Sequence, residues 1–238
     1  MEWTDEGILL SARRHGEASA VASLLTHAHG RHGGLVRGGA GKALRGVLQP
    51  GNRLAVTWKA RLPEHLGHFT CELASALGTA WLHDPLRLAA IASACAVAEA
   101  TLPEREPHGA AYEGLAGLLT SMEEPEWPAL YVRWELGLLG ELGFGLDLAR
   151  CAVTGATDGL AYVSPRSGRA VSRTTGQAYR DRLLALPGFL VGEGRSSAPG
   201  EVMAGLALTA YFLERHVLGP HGKPLPAARS RLVERLKA

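Results

Sequence analysis

Between Ala18 and Pro63 the chain carries no aspartate or glutamate, yet Arg31, Arg37, Lys42, Arg45, Arg53, Lys59 and Arg61 all fall there, with His27, His29 and His32. Seven fixed cations without an acid nearby in sequence predict a positive surface, the electrostatics that a phosphate backbone requires. A solvated face with incidental bias is the plain alternative. The balance then reverses: residues 99–150 hold ten acids against Arg105, Arg133 and Arg150, and from 151 onward twelve Lys/Arg face six acids. The formal net charge of +2 conceals this segregation, which matters more than the total.

Three other groupings invite a chemical reading. Gly38-Gly39-Ala40-Gly41-Lys42-Ala43 approaches a phosphate-binding loop, but that spacing requires glycine where Val36 stands and Ser/Thr where Ala43 stands. It reads instead as a flexible basic loop whose glycines let backbone approach a phosphate. His27 and His29, with His32, place imidazoles on one strand face, but no neighbouring cysteine or carboxylate completes a metal set. Cys151 and Thr154, then Ser172 and Thr175, have the 2–17–2 spacing of a four-cysteine zinc site with three of the cysteines replaced. Hydroxyls are poor zinc ligands, so Cys151 is the only ligand-type residue left and no metal or other cofactor is expected. No nucleophile elbow, HExxH or paired-carboxylate motif is present in the sequence.

The elements that must position these residues fall into two kinds. Up to about residue 80 the pattern is β. Short apolar runs at Gly7–Ser11, Ala20–Ala28, Gly33–Gly39, Arg53–Lys59 and Leu66–Leu73 are separated by glycine-rich turns, and Leu54, Val56 and Trp58 alternate with Ala55, Thr57 and Lys59. Five strands in that length predict a small barrel. An OB barrel suits the count, and periodicity alone does not separate it from an SH3-like one. After Leu82 the pattern is helical. Asp84-Pro85 is an N-cap followed by proline at the first helical position, and Pro103 ends that helix. Further helices are predicted over 107–121, from Pro128 to Gly143, and over about 176–186, 199–218 and 225–237. Residues 150–176, rich in Gly, Ser and Thr, predict turns with a short hairpin. The expected division is a barrel domain over 1–80 and a helical domain over 81–238, with 150–176 inserted at the degenerate zinc position.

Composition narrows the class. At 238 residues and 46% hydrophobic the chain can bury a real core. Its longest apolar run, Leu88–Ala98 with one serine, is too short to span a membrane. The acidic start Met1-Glu2-Trp3-Thr4-Asp5-Glu6 lacks the features of a signal peptide. Three scattered cysteines, Cys71, Cys95 and Cys151, fit a reducing compartment. These features predict a cytoplasmic protein with no membrane partner.

The order of several short stretches resembles the RecO family of bacterial DNA-repair proteins. They are Trp3–Leu10, Gly16-Glu17, Thr26, Gly30-Arg31, Val36-Arg37-Gly38-Gly39, Leu48–Asn52 and Leu66-Gly67 with Glu72. In the helical half they are Arg133–Leu139, Leu142-Gly143-Phe144, Cys151, Gly222–Leu225 and Arg229. The resemblance covers nearly the whole chain, and specificity lies in the order of the motifs together.

The resemblance implies an α+β multidomain protein: a five-stranded OB barrel, then a mostly helical domain with a small degenerate zinc-hairpin region. It implies a recombination mediator, not an enzyme, that consumes no nucleotide, is nucleoid-associated, and binds single- and double-stranded DNA. Such a protein anneals complementary strands and helps RecR load RecA onto strands coated by single-strand-binding protein (SSB). RecA is thus an indirect partner. The family also binds the acidic, Phe-ending SSB tail through its helical domain; Arg133, Lys223 and Arg229 are the candidate cations for it, although Arg133 could equally pair with a glutamate on its helix. Alternatives from other classes are a metal-dependent nuclease with an unfamiliar site and an adaptor that binds no DNA.

Overall fold

The computed structural model describes residues 1–192 and 198–237. They group into two compact units, Met1–Thr120 with Pro226–Leu232, and Ser121–Leu225 with Val233–Ala238. The change from strand to helix near residue 80 lies inside the first unit, where the first helix packs against the first two barrel strands.

In the first unit β1 (Glu2–His15), β2 (Ser19–Thr26), β3 (Gly30–Val36), β4 (Arg53–Lys59) and β5 (His68–Ser75) close into a barrel in the order β1-β2-β3-β5-β4. This is the five-stranded OB arrangement. Closure depends on the length of β1. Its first half pairs with β4 (Glu2↔Lys59 to Ile8↔Arg53) and its second half with β2 (Gly7↔Thr26 to His15↔Ser19), with an irregularity between Leu9 and Ser11 where it bends. The β3–β5 seam is parallel and short, with Leu35 opposite His68. Strict alternation in β4 buries Leu54, Val56 and Trp58 while Ala55 and Lys59 stay exposed. With Leu9, Leu24 and Phe69 they fill the interior. At Gly34 a Cβ would come within 2.3 Å of the Phe69 ring, so that position admits only glycine. The sequence reading located all five strands but began β1 five residues late, because its polar start alternates only against β4.

Helix α1 (Pro85–Thr101) begins as predicted, with Asp84 Oδ1 accepting from the Leu86 and Arg87 amides at 3.0 Å each. Helix α2 (Gly109–Thr120) completes the helical part of this unit's N-terminal segment. The second unit contains α3 (Trp127–Glu141), a small sheet of β6 (Leu160–Val163), β7 (Ala170–Ser172) and β8 (Leu184–Ala185), the single turn α4 (Arg173–Gly176), and α5 (Pro199–Phe212), which widens into a π-helical turn over Leu213–Leu218. The last helix is α6 (Ala227–Lys237).

The helix expected over about 176–186 is not there. Residues Gln177–Arg182 form a 3-10 turn and Leu184-Ala185 add a third strand beside β6, with Tyr162 opposite Ala185. Strand pairing uses the backbone groups of the apolar run Leu183–Leu186, whereas a lone two-turn helix would bury little. The hairpin is therefore three-stranded.

Candidate nucleic-acid interface

The seven cations of the acid-free window do not form one surface. Arg31 is tied down: Nε donates to the Leu102 carbonyl at 2.8 Å and its guanidinium pairs with Glu104 at 3.0 Å. Arg53 pairs with Glu6 at 2.5 Å, and Lys59 with Glu2 at 3.0 Å. All three carboxylates lie outside residues 18–63. Two of them arrive because β1 runs antiparallel beside β4, which sets Glu2 directly opposite Lys59. A window free of acids in sequence is thus not free of them in space.

Arg37, Lys42 and Arg45 behave differently. They sit on the connection between β3 and β4, all exposed, and among the described residues none has an ion-pair partner. Arg61, in the loop after β4, is likewise exposed and unpaired among those residues. The connection is built rather than loose. Gly38 has φ +72°, and a Cβ on Gly39 would lie 2.8 Å from the Ala20 methyl, so two adjacent glycines let the chain turn tightly against β2. The amides of Gly39, Ala40 and Gly41 donate to the carbonyls of Val36, Ala18 and Gly38. Those amides are therefore not free to cradle a phosphate, and contact falls to the side chains. Beyond the 3-10 turn Lys42–Leu44, fully buried Asn52 clamps the base of the connection. Its Nδ2 donates to the Gly46 and Val47 carbonyls at 2.9 and 3.1 Å, and its Oδ1 accepts from the Gly78 amide at 3.1 Å. In the sequence Asn52 shows only as the end of the stretch Leu48–Asn52, with no sign of this clamp.

Trp58 and Phe69 belong to the barrel core and are not open to base stacking: they are 1% and 4% exposed. Trp3, which sequence reasoning passed over, is half-buried and stacks on His29 with ring centroids 4.0 Å apart and planes 6° from parallel. The histidines do not assemble. β2 ends at Thr26, so His27 and His29 lie in the turn rather than on a strand face. His27 approaches Glu113 at 3.5 Å, His29 Nδ1 bonds Asp5 at 2.9 Å, and His32 is buried with Nδ1 3.1 Å from the Gly33 carbonyl. Burial holds the Asp5 carboxyl up, but bonds from His29, Ala28 and Glu6 outweigh it and leave its pKa below the ordinary value. Burial, aided by the Arg105 charge, pushes the His32 pKa down.

In the second unit the spacing around Cys151 closes in space. Cys151 Sγ lies 3.6 Å from Ser172 Oγ and accepts the Ser172 amide at 3.3 Å, and Ser172 Oγ donates to Thr175 at 3.0 Å. Burial raises the thiol, but bonds from the Thr154 hydroxyl and from the Ser172, Thr154 and Val153 amides bring its pKa down to about 6. One sulfur and three hydroxyls engaged with one another do not fit zinc, which takes thiolate or imidazole. Among the described residues no group of three or more His, Cys, Asp or Glu is placed to hold a metal.

Of the partner candidates, Arg133 projects from α3 and donates to the Phe189 carbonyl, with its guanidinium 5.9 Å from the Phe189 ring centre. No glutamate on its own helix pairs with it among the described residues. It edges a cavity of about 280 Å³ lined by Glu124, Glu126, Ala129, Leu130 and Phe189. Lys223 is exposed; Arg229 is 3% exposed and presents no cation to solvent. No helix among the described residues is long and apolar enough to cross a membrane.

Comparison with known proteins agrees with this architecture. Residues 1–76 match the family model for the recombination protein O N terminus, and residues 82–224 match that for its C terminus. A protein from Rhodospirillum centenum named DNA repair protein RecO is 56% identical over 100% of this chain and 95% of its own length. Proteins of the same name from Rhodospirillum rubrum and Caulobacter vibrioides are 52% and 50% identical, covering 100% and 99% of this chain and 97% and 98% of their own lengths. The chain belongs to the RecO family of DNA repair and recombination proteins.

Proposed function

We propose that this chain is a recombination mediator that binds DNA through its barrel and brings complementary strands together without covalent chemistry. The observation that carries the reading is the β3–β4 connection, where Arg37, Lys42 and Arg45 stand exposed and, among the described residues, unpaired on a loop clamped by Asn52. Such cations displace condensed counterions and give affinity that does not depend on base sequence. Two strands on one positive surface repel each other less, which speeds pairing at no cost in nucleotide. With Trp58 and Phe69 buried, stacking contributes little on the barrel and electrostatics dominate.

Single- and double-stranded DNA are both ligands in this reading, RecR and SSB are its protein partners, and RecA benefits indirectly. The cavity beside Arg133 suits the SSB tail: Ala129, Leu130 and Phe189 offer an apolar floor for a phenyl ring, and the guanidinium faces its carboxylate. Glu124 and Glu126 restrict the acidic residues of such a tail to the Arg133 side. Lys223 is exposed but does not line this cavity, and Arg229 is buried, so Arg133 is the cation that the reading uses. Arg133→Ala should weaken a fluorescent tail peptide at least about tenfold while DNA affinity is unchanged. The deciding experiment for the reading as a whole is annealing of complementary oligonucleotides, bare and SSB-coated, with Mg2+ present. Faster annealing with both strands intact is expected; cleavage would make the chain a nuclease, and no DNA binding would make it an adaptor.

A further inference from the structure

The second unit carries a basic run that the barrel reading does not use. Residues 166–182 contain five arginines and one acid, Asp181. Arg169 pairs with Asp147 at 3.2 Å, and Arg180 approaches only the almost fully exposed Asp181, at 3.7 Å. Arg173 and Arg182 are exposed and, among the described residues, unpaired. Between them stands Tyr179, 61% exposed, with no ring contact or hydrogen bond among the described residues. A bare tyrosine ring in water, flanked by free guanidinium groups, is what a stacked base with its phosphates would cover.

The backbone makes this a fixed platform. α4 runs straight into the 3-10 turn Gln177–Arg182, and residues three apart in a 3-10 turn eclipse, so Tyr179 and Arg182 share one edge. The run spans roughly 15 Å, a few nucleotides of extended strand. It is pinned from beneath at two places. Gly176 lies so close to Tyr162 that a Cβ would come 2.5 Å from the ring, and Tyr162 Oη bonds Gln177 at 3.3 Å. At the start of α4, Ser172 and Thr175 are held in the hydroxyl cluster around Cys151.

We propose that this face is a second contact for single-stranded nucleic acid, with Tyr179 stacked on a base and Arg173 and Arg182 on phosphates. The proposal rests on the chain being a DNA-binding protein, though not on which barrel residues bind. The test uses the full chain and an oligothymidylate bearing 5-iodouracil, irradiated and then digested with trypsin. The crosslink is expected on the peptide Thr174–Arg180. In anisotropy titrations Tyr179→Ala should weaken the strand at least about fivefold, Tyr179→Phe should restore it, and melting should hardly move because the side chain is 61% exposed and makes no ring contact or hydrogen bond among the described residues. Crosslinks only elsewhere, with Tyr179→Ala binding as wild type, overturn this proposal and leave the barrel reading standing. A crosslink at Tyr179 that survives Arg37, Lys42 and Arg45 all changed to alanine, with affinity also unchanged, overturns the barrel reading and supports this one. A wild-type chain that retains no oligonucleotide overturns both.

Discussion

The β3–β4 connection and strand β4 are both basic and free of acids in sequence, yet opposite in availability. On the seam between β1 and β4, Arg53 and Lys59 meet Glu6 and Glu2 across the strands, so the field they project is largely cancelled. On the connection Arg37, Lys42 and Arg45 project from a loop that lies against Ala18 and Ala20, and among the described residues none of the three has an ion-pair partner. A charge count along the chain measures the first quantity, and a ligand feels the second. The difference is made by register: a strand supplies a neighbour at every position, whereas a loop does not.

The sharpest way to break the comparison is to remove the clamp that holds the connection in place. Asn52→Ala would leave the Gly46 and Val47 carbonyls and the Gly78 amide without their partner in a buried site, a cost of about 3 kcal/mol. Denaturant unfolding should show that loss. If the surviving folded protein binds DNA as before, the placement of the loop does not matter and the argument for a built site fails. Next in size is the triple change of Arg37, Lys42 and Arg45 to alanine. The slope of log affinity against log salt should fall by about 2 for a single strand, since each phosphate contact accounts for about 0.7. The matched change of Arg31, Arg53 and Lys59 to glutamine should move it by well under half as much. Equal effects from the two triples would erase the distinction between loop and seam.

How much of this was legible in the sequence follows the range of the interactions involved. The barrel was legible because alternation in β4 and glycine turns are local signals, and the α1 start because Asp84-Pro85 is a local cap. β8 was missed because two residues have no period; only pairing to β6 defines them. The free cations were named together with the paired ones, since Glu104 lies more than seventy positions from Arg31. Trp58 sits in an alternating strand and fills the barrel with Phe69, whereas Tyr179, in a stretch that reads as helix, stands exposed. The Cys151 cluster lies between these cases: its 2–17–2 spacing is legible in the sequence, but that the four side chains meet is decided by the hairpin that joins the two turns.

A smaller effect concerns pH. His32 is buried with its pKa pushed below the ordinary 6.5, so the unfolded chain takes up a proton at this residue before the folded one does. Stability should therefore fall as pH drops below about 6.5, by at most about 1.4 kcal/mol per unit. A second loss follows at lower pH as Asp5, depressed in the fold, takes up its proton. Urea midpoints at neutral and mildly acidic pH check this, and His32→Gln should flatten the first segment. Because His32 belongs to the aromatic interior with Trp3, Trp58 and Phe69 and not to the connection, DNA affinity of the folded protein should change little over the same range.

The smallest expected effect tests the seam from the other side. If Arg53 and Lys59 are silent only because Glu6 and Glu2 neutralise them, then Glu2→Gln with Glu6→Gln should release two cations without adding any. Both glutamates are more than half exposed, so each pair is worth little to stability and the melting temperature should hardly move. Affinity for DNA should rise by a few-fold at low salt, with the slope steeper by up to about 1.4 for a single strand if both released cations reach phosphates. The gain should vanish when Arg53 and Lys59 are also changed to glutamine. A gain that persists in the fourfold variant would trace to lower overall negative charge and not to the released pair. No gain at all would mean that the seam faces away from bound DNA, and the β3–β4 connection would then stand alone as the contact surface of the barrel.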